Sequence, residues 1–248
     1  MDDRRNLWFL CATVGAQFIT ITLVQPLIPL YAAALGASPG GVGLIIGLYS
    51  LLPLFCAVPA GMAVDAFGAR GLLAAGAIGL SLTSLVIGLW PGLIVLTLAQ
   101  TLRGLAQLMF VVAAQAYTAS IAGRREANFG WFSTFASAGQ LAGPLVGGAL
   151  VDARGFPLAF LAAGALSLLP LLFIAGLGKK RPAATAPPAV RARGAQIRRL
   201  FRNDAMKAAI AASFAVRFAM GARQAFFPRY LQGLGFSVTA IGTLLSLR

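Results

Sequence analysis

No histidine occurs in this sequence, and acids and cysteines are scarce, with 6 acidic residues and 2 cysteines in 248 positions. The missing histidine removes the commonest general base, metal ligand and neutral-pH switch, and with it most hydrolase and metalloenzyme chemistry. Neither a metal nor a cofactor is expected, and the chain does not read as an enzyme. Cys11 and Cys56 both lie in apolar runs, so no disulfide scaffold is read either. Charged residues make up 10% of the chain, against roughly 25% in an ordinary soluble domain. That leaves too little polar surface to clothe a globule in water.

Hydrophobic residues fill the gap, at 59% of the chain with a mean hydropathy of +0.85. A helix crossing the roughly 30 Å hydrocarbon core takes about 20 mainly apolar residues. Seven such runs stand out, near Leu7–Tyr31, Val42–Val64, Gly71–Leu89, Gly92–Tyr117, Trp131–Val151, Pro157–Leu177 and Ala208–Leu231, and an eighth starts at Val238. Turn chemistry separates them: Gly36 to Gly41, Asp65 to Gly71, Trp90-Pro91-Gly92, Gly123 to Asn128 and Asp152 to Phe156. The first run exceeds the 7–15 residue core typical of a signal peptide and reads as a retained span. The fold class is therefore an all-α multi-pass membrane protein.

Lysine and arginine in short loops set orientation. Fourteen of them fall on one side of these spans, and only Arg154 and Arg229 on the other. The sequence thus predicts a cytoplasmic N-terminus in a plasma (inner) membrane. Most of the basic excess lies between Lys179 and Lys207, a Pro- and Ala-containing stretch that reads as a cytoplasmic linker resting near anionic lipid. The net charge of +14 then needs no nucleic-acid partner.

An internal repeat organises the rest. At an offset of 199 residues Pro29 meets Pro228, Tyr31 meets Tyr230, Leu35 meets Leu234, Gly36 meets Gly235, Ser38 meets Ser237, Gly43 meets Gly242 and Leu48 meets Leu247. The end of the first span, its outer loop and the start of the second recur after the linker, as in a duplicated transporter with two six-helix halves. The expected division is a six-helix bundle over 1–178, the linker over 179–207 and the start of a second bundle over 208–248. Arg248 falls opposite Tyr49, inside the eighth span, so a C-terminally incomplete chain is expected.

Two motifs carry a family resemblance. Gly61-Met62-Ala63-Val64-Asp65-Ala66-Phe67-Gly68-Ala69-Arg70 is similar to the loop signature G-x-L-x-D-R-x-G-R-R of the major facilitator superfamily, with Ala66 and Ala69 replacing two basic residues. Gly61 and Gly68 would allow close helix approach and a tight turn, Asp65 offers a carboxylate, and Arg70 anchors the basic end. Gly139-Gln140-Leu141-Ala142-Gly143-Pro144-Leu145-Val146-Gly147-Gly148 fits G-x-x-x-G-P-x-x-G-G throughout, resembling the span 5 motif of the drug/proton antiporters of that superfamily. Glycines four apart clear a helix face for another backbone, and Pro144 bends the helix.

The resemblance implies a secondary transporter working by alternating access, most readily proton-coupled efflux of small organic compounds, with a conformational latch at 61–70. Span 4 carries Gln100, Arg103 and Gln107 on one face. Against the family's R-x-x-Q-G pattern, Gln100 stands where the arginine belongs and Arg103 where the glutamine belongs. Span 1 adds Thr13, Gln17 and Thr20 on one face and Gln25 near its outer end, and span 7 adds Arg217 near mid-depth. Gln17, Gln25, Gln100, Arg103, Gln107 and Arg217 are the candidates for a substrate or proton pathway. All six acids fall at or beyond the span ends, which disfavours a cationic cargo and opens a second reading, uptake or exchange of organic anions. The remaining reading, outside transport, is a membrane assembly protein. The expected partners are a small-molecule substrate, protons and the bilayer, with the protein acting as a monomer.

Overall fold

A computed structural model of the chain describes residues 2–178 and 204–246. The larger part of the expected linker, 179–203, lies outside the described residues, as does the side chain of Arg217. The described secondary structure is entirely helical: α1 Asp2–Ala34, α2 Pro39–Phe67, α3 Ala69–Leu89, α4 Leu93–Ser120, α5 Arg125–Leu166, α6 Leu169–Gly176, α7 Asp204–Gly233 and α8 Val238–Ser246. Helix α1 starts at Asp2, ahead of the expected Leu7, because its polar first turns continue the helix beyond the apolar run.

The stretch Asp152 to Phe156, expected to carry a turn, makes a tight one. Helix α5 runs through it with one break, at Gly155, where φ is 82° and ψ 172°. A side chain in that conformation would be strained, and glycine is not. The apolar stretch Arg125–Gly176 holds 52 residues, about 78 Å of helix at 1.5 Å per residue, more than one passage across a bilayer can use. Contacts with α1 show the reversal. Going along α1 from its N-terminus, Trp8, Gly15 and Leu23 meet Trp131, Phe135 and Gly147 in turn, so the first part of α5 runs in the same direction. Beyond Gly155, Tyr31, Gln17 and Asn6 meet Phe156, Ser167 and Gly178, the opposite sense. Residues 131–151 and 157–177 are thus the fifth and sixth passes.

The other passes alternate in the same way. Gly76 abuts Phe110 and Gly79 abuts Ala106 across α3 and α4, an antiparallel pairing. The N-terminus of α1, the Gly68 turn, the turn after α4 and Gly178 gather at one end, tied by Gly178 N donating to Asn6 Oδ1 (3.0 Å) and Arg70 Nη2 donating to the Ala175 carbonyl (2.9 Å). This end carries Arg4, Arg5, Arg70, Arg124 and Arg125. Lipid tails are as apolar as leucine, so helices here associate through close backbone packing. The core accordingly pairs small residues with Phe110, Tyr117 and Phe132 in one cluster and with Leu27, Tyr31 and Phe160 in another. Leu54, Phe55, Val58, Ile94, Leu98 and Leu172 stay exposed.

The repeat extends to individual hydrogen bonds. Gly36 (φ 86°) and Gly235 (φ 85°) end α1 and α7 in the left-handed conformation. Ala37 N donates to Ala32 O and Phe236 N to Leu231 O; Ser38 Oγ accepts from Gly41 N and Ser237 Oγ from Ala240 N. Each pair is separated by the same 199 residues, so two helix ends, two C-caps and two N-caps are built alike.

Candidate functional site

Helices α1, α4, α5, α7 and α8 line an open cavity of about 670 Å³. Its wall combines Phe18, Ile21, Leu141, Met220 and Leu245 with Gln25, Gln107, Gln140, Gln224, Thr22 and Ser137. A smaller pocket of about 40 Å³ adjoins it, lined by Val24, Ile28, Ile46, Tyr49, Gln100 and Arg103, and the two share Ile21, Gln25 and Gln224. Gln25 and Gln224 stand 199 residues apart, at equivalent places in the two repeats. A carboxamide from each half therefore lines the neck between the pockets.

Arg103 is 3% exposed. Its Nη1 donates to Ser84 Oγ at 2.6 Å and its Nη2 approaches the Thr20 carbonyl at 3.4 Å, both neutral groups. Gln100 is 7% exposed, and its Oε1 accepts no hydrogen bond among the described residues. Gln107 Oε1 accepts from the Tyr49 hydroxyl, and Gly104 lets the Tyr49 backbone press against α4. Gln17, expected on the cavity face, is drawn into the bundle instead. It is fully buried, and its Nε2 donates to Ser167 Oγ (2.6 Å) and Thr20 Oγ1 (3.0 Å), tying α1 to the turn before α6. Arg217 lies seven residues before Gln224, with its side chain outside the described residues.

The two motifs behave differently. In the 61–70 loop Gly68 (φ 81°) makes the turn that ends α2 and starts α3, and Arg70 binds the Ala175 carbonyl. Asp65 is exposed, and a Cβ at Gly61 would meet nothing within 4 Å, so the close approach expected at Gly61 does not occur among the described residues. The span 5 glycines are tight. A Cβ at Gly139 would lie 2.5 Å from the Gly15 carbonyl, at Gly143 2.6 Å from that of Ile19, and at Gly147 2.7 Å from that of Leu23. Gly148 faces away from α1 and approaches α8, where a Cβ would lie 2.5 Å from the Val238 carbonyl; in return Gly242 packs on the Pro144 carbonyl. One motif thus binds α5 to its own bundle and to the first helix pair of the repeat.

Tyr49, Ser84, Ser137, Gln140 and Gln224 escaped the sequence reading, as did Asp152. Gln140 occupies an unspecified position of the span 5 motif, and the repeat offset itself would have picked out Gln224. Asp152 closes the end away from the basic residues: Oδ1 accepts from Val238 N (3.2 Å) and Oδ2 from Thr239 N (2.7 Å), capping α8 from across the interface. Partial burial pushes its pKa upward, but the hydrogen bonds from Thr239, Val238 and Ser237 outweigh this and leave it below the ordinary carboxylate value. Beside it Leu30, Leu231 and Ile241 form an apolar seal.

Multidrug resistance protein MdtG of Enterobacter lignolyticus is 35% identical over 189 residues, covering 69% of this chain and 43% of that protein. The class C tetracycline resistance protein of Escherichia coli is 30% identical over 177 residues, with 69% and 44% covered. The chain spans less than half the length of these curated relatives. Among solved structures, a bacterial homologue of the human lysosomal transporter Spinster, inward-facing and unoccupied, has the same fold, with a TM-score of 0.79 at 16% identity over 98% of this chain and 58% of that one. A profile described as Major Facilitator Superfamily matches residues 10–247, from the first pass into the eighth, and the chain belongs to that superfamily.

Proposed function

We propose that the protein carries small organic compounds across the inner membrane by alternating access, as an exporter driven by proton entry, with the basic end and N-terminus in the cytoplasm. The observation that carries this reading is the cavity placed between the two repeats, with Gln25 and Gln224 at equivalent positions on either side of it. A site shared by two halves opens to alternate sides when the halves rock. The seal at Asp152, Leu30, Leu231 and Ile241 shuts one end of that interface. The span 5 motif and the printed names of the drug-resistance relatives support export over import. The Asp65 loop supplies the latch, and the protein works as a monomer.

The test is transport in everted membrane vesicles with an imposed acid-lumen gradient, offering cationic dyes and organic acids separately. Accumulation that collapses on adding a protonophore is the expected result. Uptake of acids with no dependence on the proton gradient would replace this reading by the organic-anion importer or exchanger.

A further inference from the structure

The two repeats start their second helices alike, with Ser38 and Ser237 as N-caps, but the residues that follow differ. At the offset of 199 residues Val238 stands opposite Pro39 and Thr239 opposite Gly40. Proline at the first helical position pre-sets φ and has no N–H to offer. Val238 keeps its N–H, and Asp152 binds that amide through Oδ1 (3.2 Å) and the Thr239 amide through Oδ2 (2.7 Å). The Ser237 and Thr239 side chains also bond to Asp152. Of these groups, the Val238 N–H and the Thr239 hydroxyl have no counterpart at Pro39 and Gly40. The grip that a carboxylate takes on α8 therefore cannot be reproduced on α2, whatever is placed beside it.

That grip spans the joint between the repeats. Asp152 follows the fifth pass, which Gly139, Gly143 and Gly147 fasten to α1, while Val238 opens α8. Alongside lie close backbone packing, Gly148 on the Val238 carbonyl and Gly242 on the Pro144 carbonyl, and the apolar contact of Leu30 with Leu231 and Ile241. Apolar contact between helices gains little over contact with lipid, whereas hydrogen bonds to a carboxylate are directional and charge-assisted. The start of α2 is held differently. Val42 and Ile45 are buried among Leu27, Tyr31 and Phe160 of their own bundle, and Tyr49 presses on Gly104.

We propose that Asp152, Val238 and Thr239 form a one-sided latch between the halves at the end away from the basic residues: opening there begins with release of the first turn of α8 from Asp152, while the start of α2 stays seated in its bundle. The proposal rests on the alternating-access reading above and adds the place where the interface parts. Gly235, left-handed at φ 85°, joins α7 to α8 three residues ahead of the released turn. Asp152 lies outside the cavity wall and acts through α8, as a positioning residue.

The repeat supplies the control for the test. Ile241 and Val42 stand 199 residues apart, at equivalent places in α8 and α2, and both are fully buried. Ile241→Cys and Val42→Cys are introduced singly into the full chain carrying Cys11→Ser and Cys56→Ser, and each is reacted in membranes at neutral pH with a membrane-impermeant maleimide. Asp152→Ala should speed the reaction at position 241 at least about fivefold, the factor that loss of one helix cap usually represents, and leave position 42 unchanged. Val238→Pro is the second variant. It copies the first repeat, keeps a sound helix start and removes one donor, so it too should speed position 241, by a smaller factor. Unchanged labelling at 241 in either variant would overturn the latch, while the vesicle assay still judges transport on its own. Equal acceleration at 241 and 42 would overturn it as well, because Asp152 would then hold the fold as a whole and not the joint.

Discussion

Gly143 and Gly61 sit in motifs that resemble the same superfamily, yet the structure assigns them opposite tolerance. At Gly143 a β-carbon would collide with Thr22 and the Ile19 carbonyl, whereas at Gly61 it would meet nothing. Gly143→Val should therefore cost about 1–3 kcal/mol, the usual price of overpacking, and Gly61→Ala should be neutral or gain up to about 1 kcal/mol from helix propensity. Thermal unfolding of the two variants in detergent checks both. The same contrast separates two glutamines of α1. Gln17→Leu removes the amide that bonds both Ser167 Oγ and Thr20 Oγ1, which still bond each other, and should lower stability by about 0.5–1.5 kcal/mol. Gln25→Leu, on the cavity wall, should leave the melting curve unchanged and weaken cargo binding. Helical spacing in the sequence made both glutamines candidates. It could not tell them apart, because burial of Gln17 depends on Ser167, 150 residues away.

At the scale of elements, the joint between the fifth and sixth passes turns on a single residue. Gly155→Ala forces a side chain into backbone space that only glycine occupies comfortably and should destabilise by about 1–3 kcal/mol, read as a lower melting temperature. The Asp152 cap gives a pH dependence with a definite sign. Its carboxyl is held below the ordinary value by hydrogen bonds that exist only when α8 is docked, so the docked state is favoured while Asp152 is ionised. That advantage is full above the undocked pKa and disappears as pH falls through the docked one. Hydrogen exchange at the first amides of α8 should accordingly speed up, relative to intrinsic rates, on acidification, and Asp152→Asn should remove most of that pH response. The helices themselves were largely legible from run lengths and turn residues. The capping was not, since Asp152 and Val238 are 86 residues apart and nothing local announces the contact. The shortness of the Gly155 joint was hidden for a related reason: Asp, Arg, Gly and Pro mark a turn without saying how tight it is.

For the molecule as a whole, the repeat was the most informative feature of the sequence. The match from Pro29 onward carries over to caps and hydrogen bonds built alike at Gly36 and Gly235. Its most useful pair, Gln25 and Gln224, lay just before the matched stretch, where Val24 faces Arg223 and Pro26 faces Ala225, and neighbouring differences hid it. The gathering of basic residues at one end was legible too, and it sets the proposed orientation. The seal at Asp152 closes one end of the interface between the repeats, and a rocking cycle requires the two ends to move in opposition. Spin-label distances across each end test this most directly, with one pair at Arg154 and Phe236 on the outer end and another at Gly123 and Ala208 on the inner. The account predicts that conditions releasing the Asp152 cap lengthen the outer distance and shorten the inner one. Distances that change in the same sense, or an inner pair that stays fixed while the outer opens, would contradict alternating access.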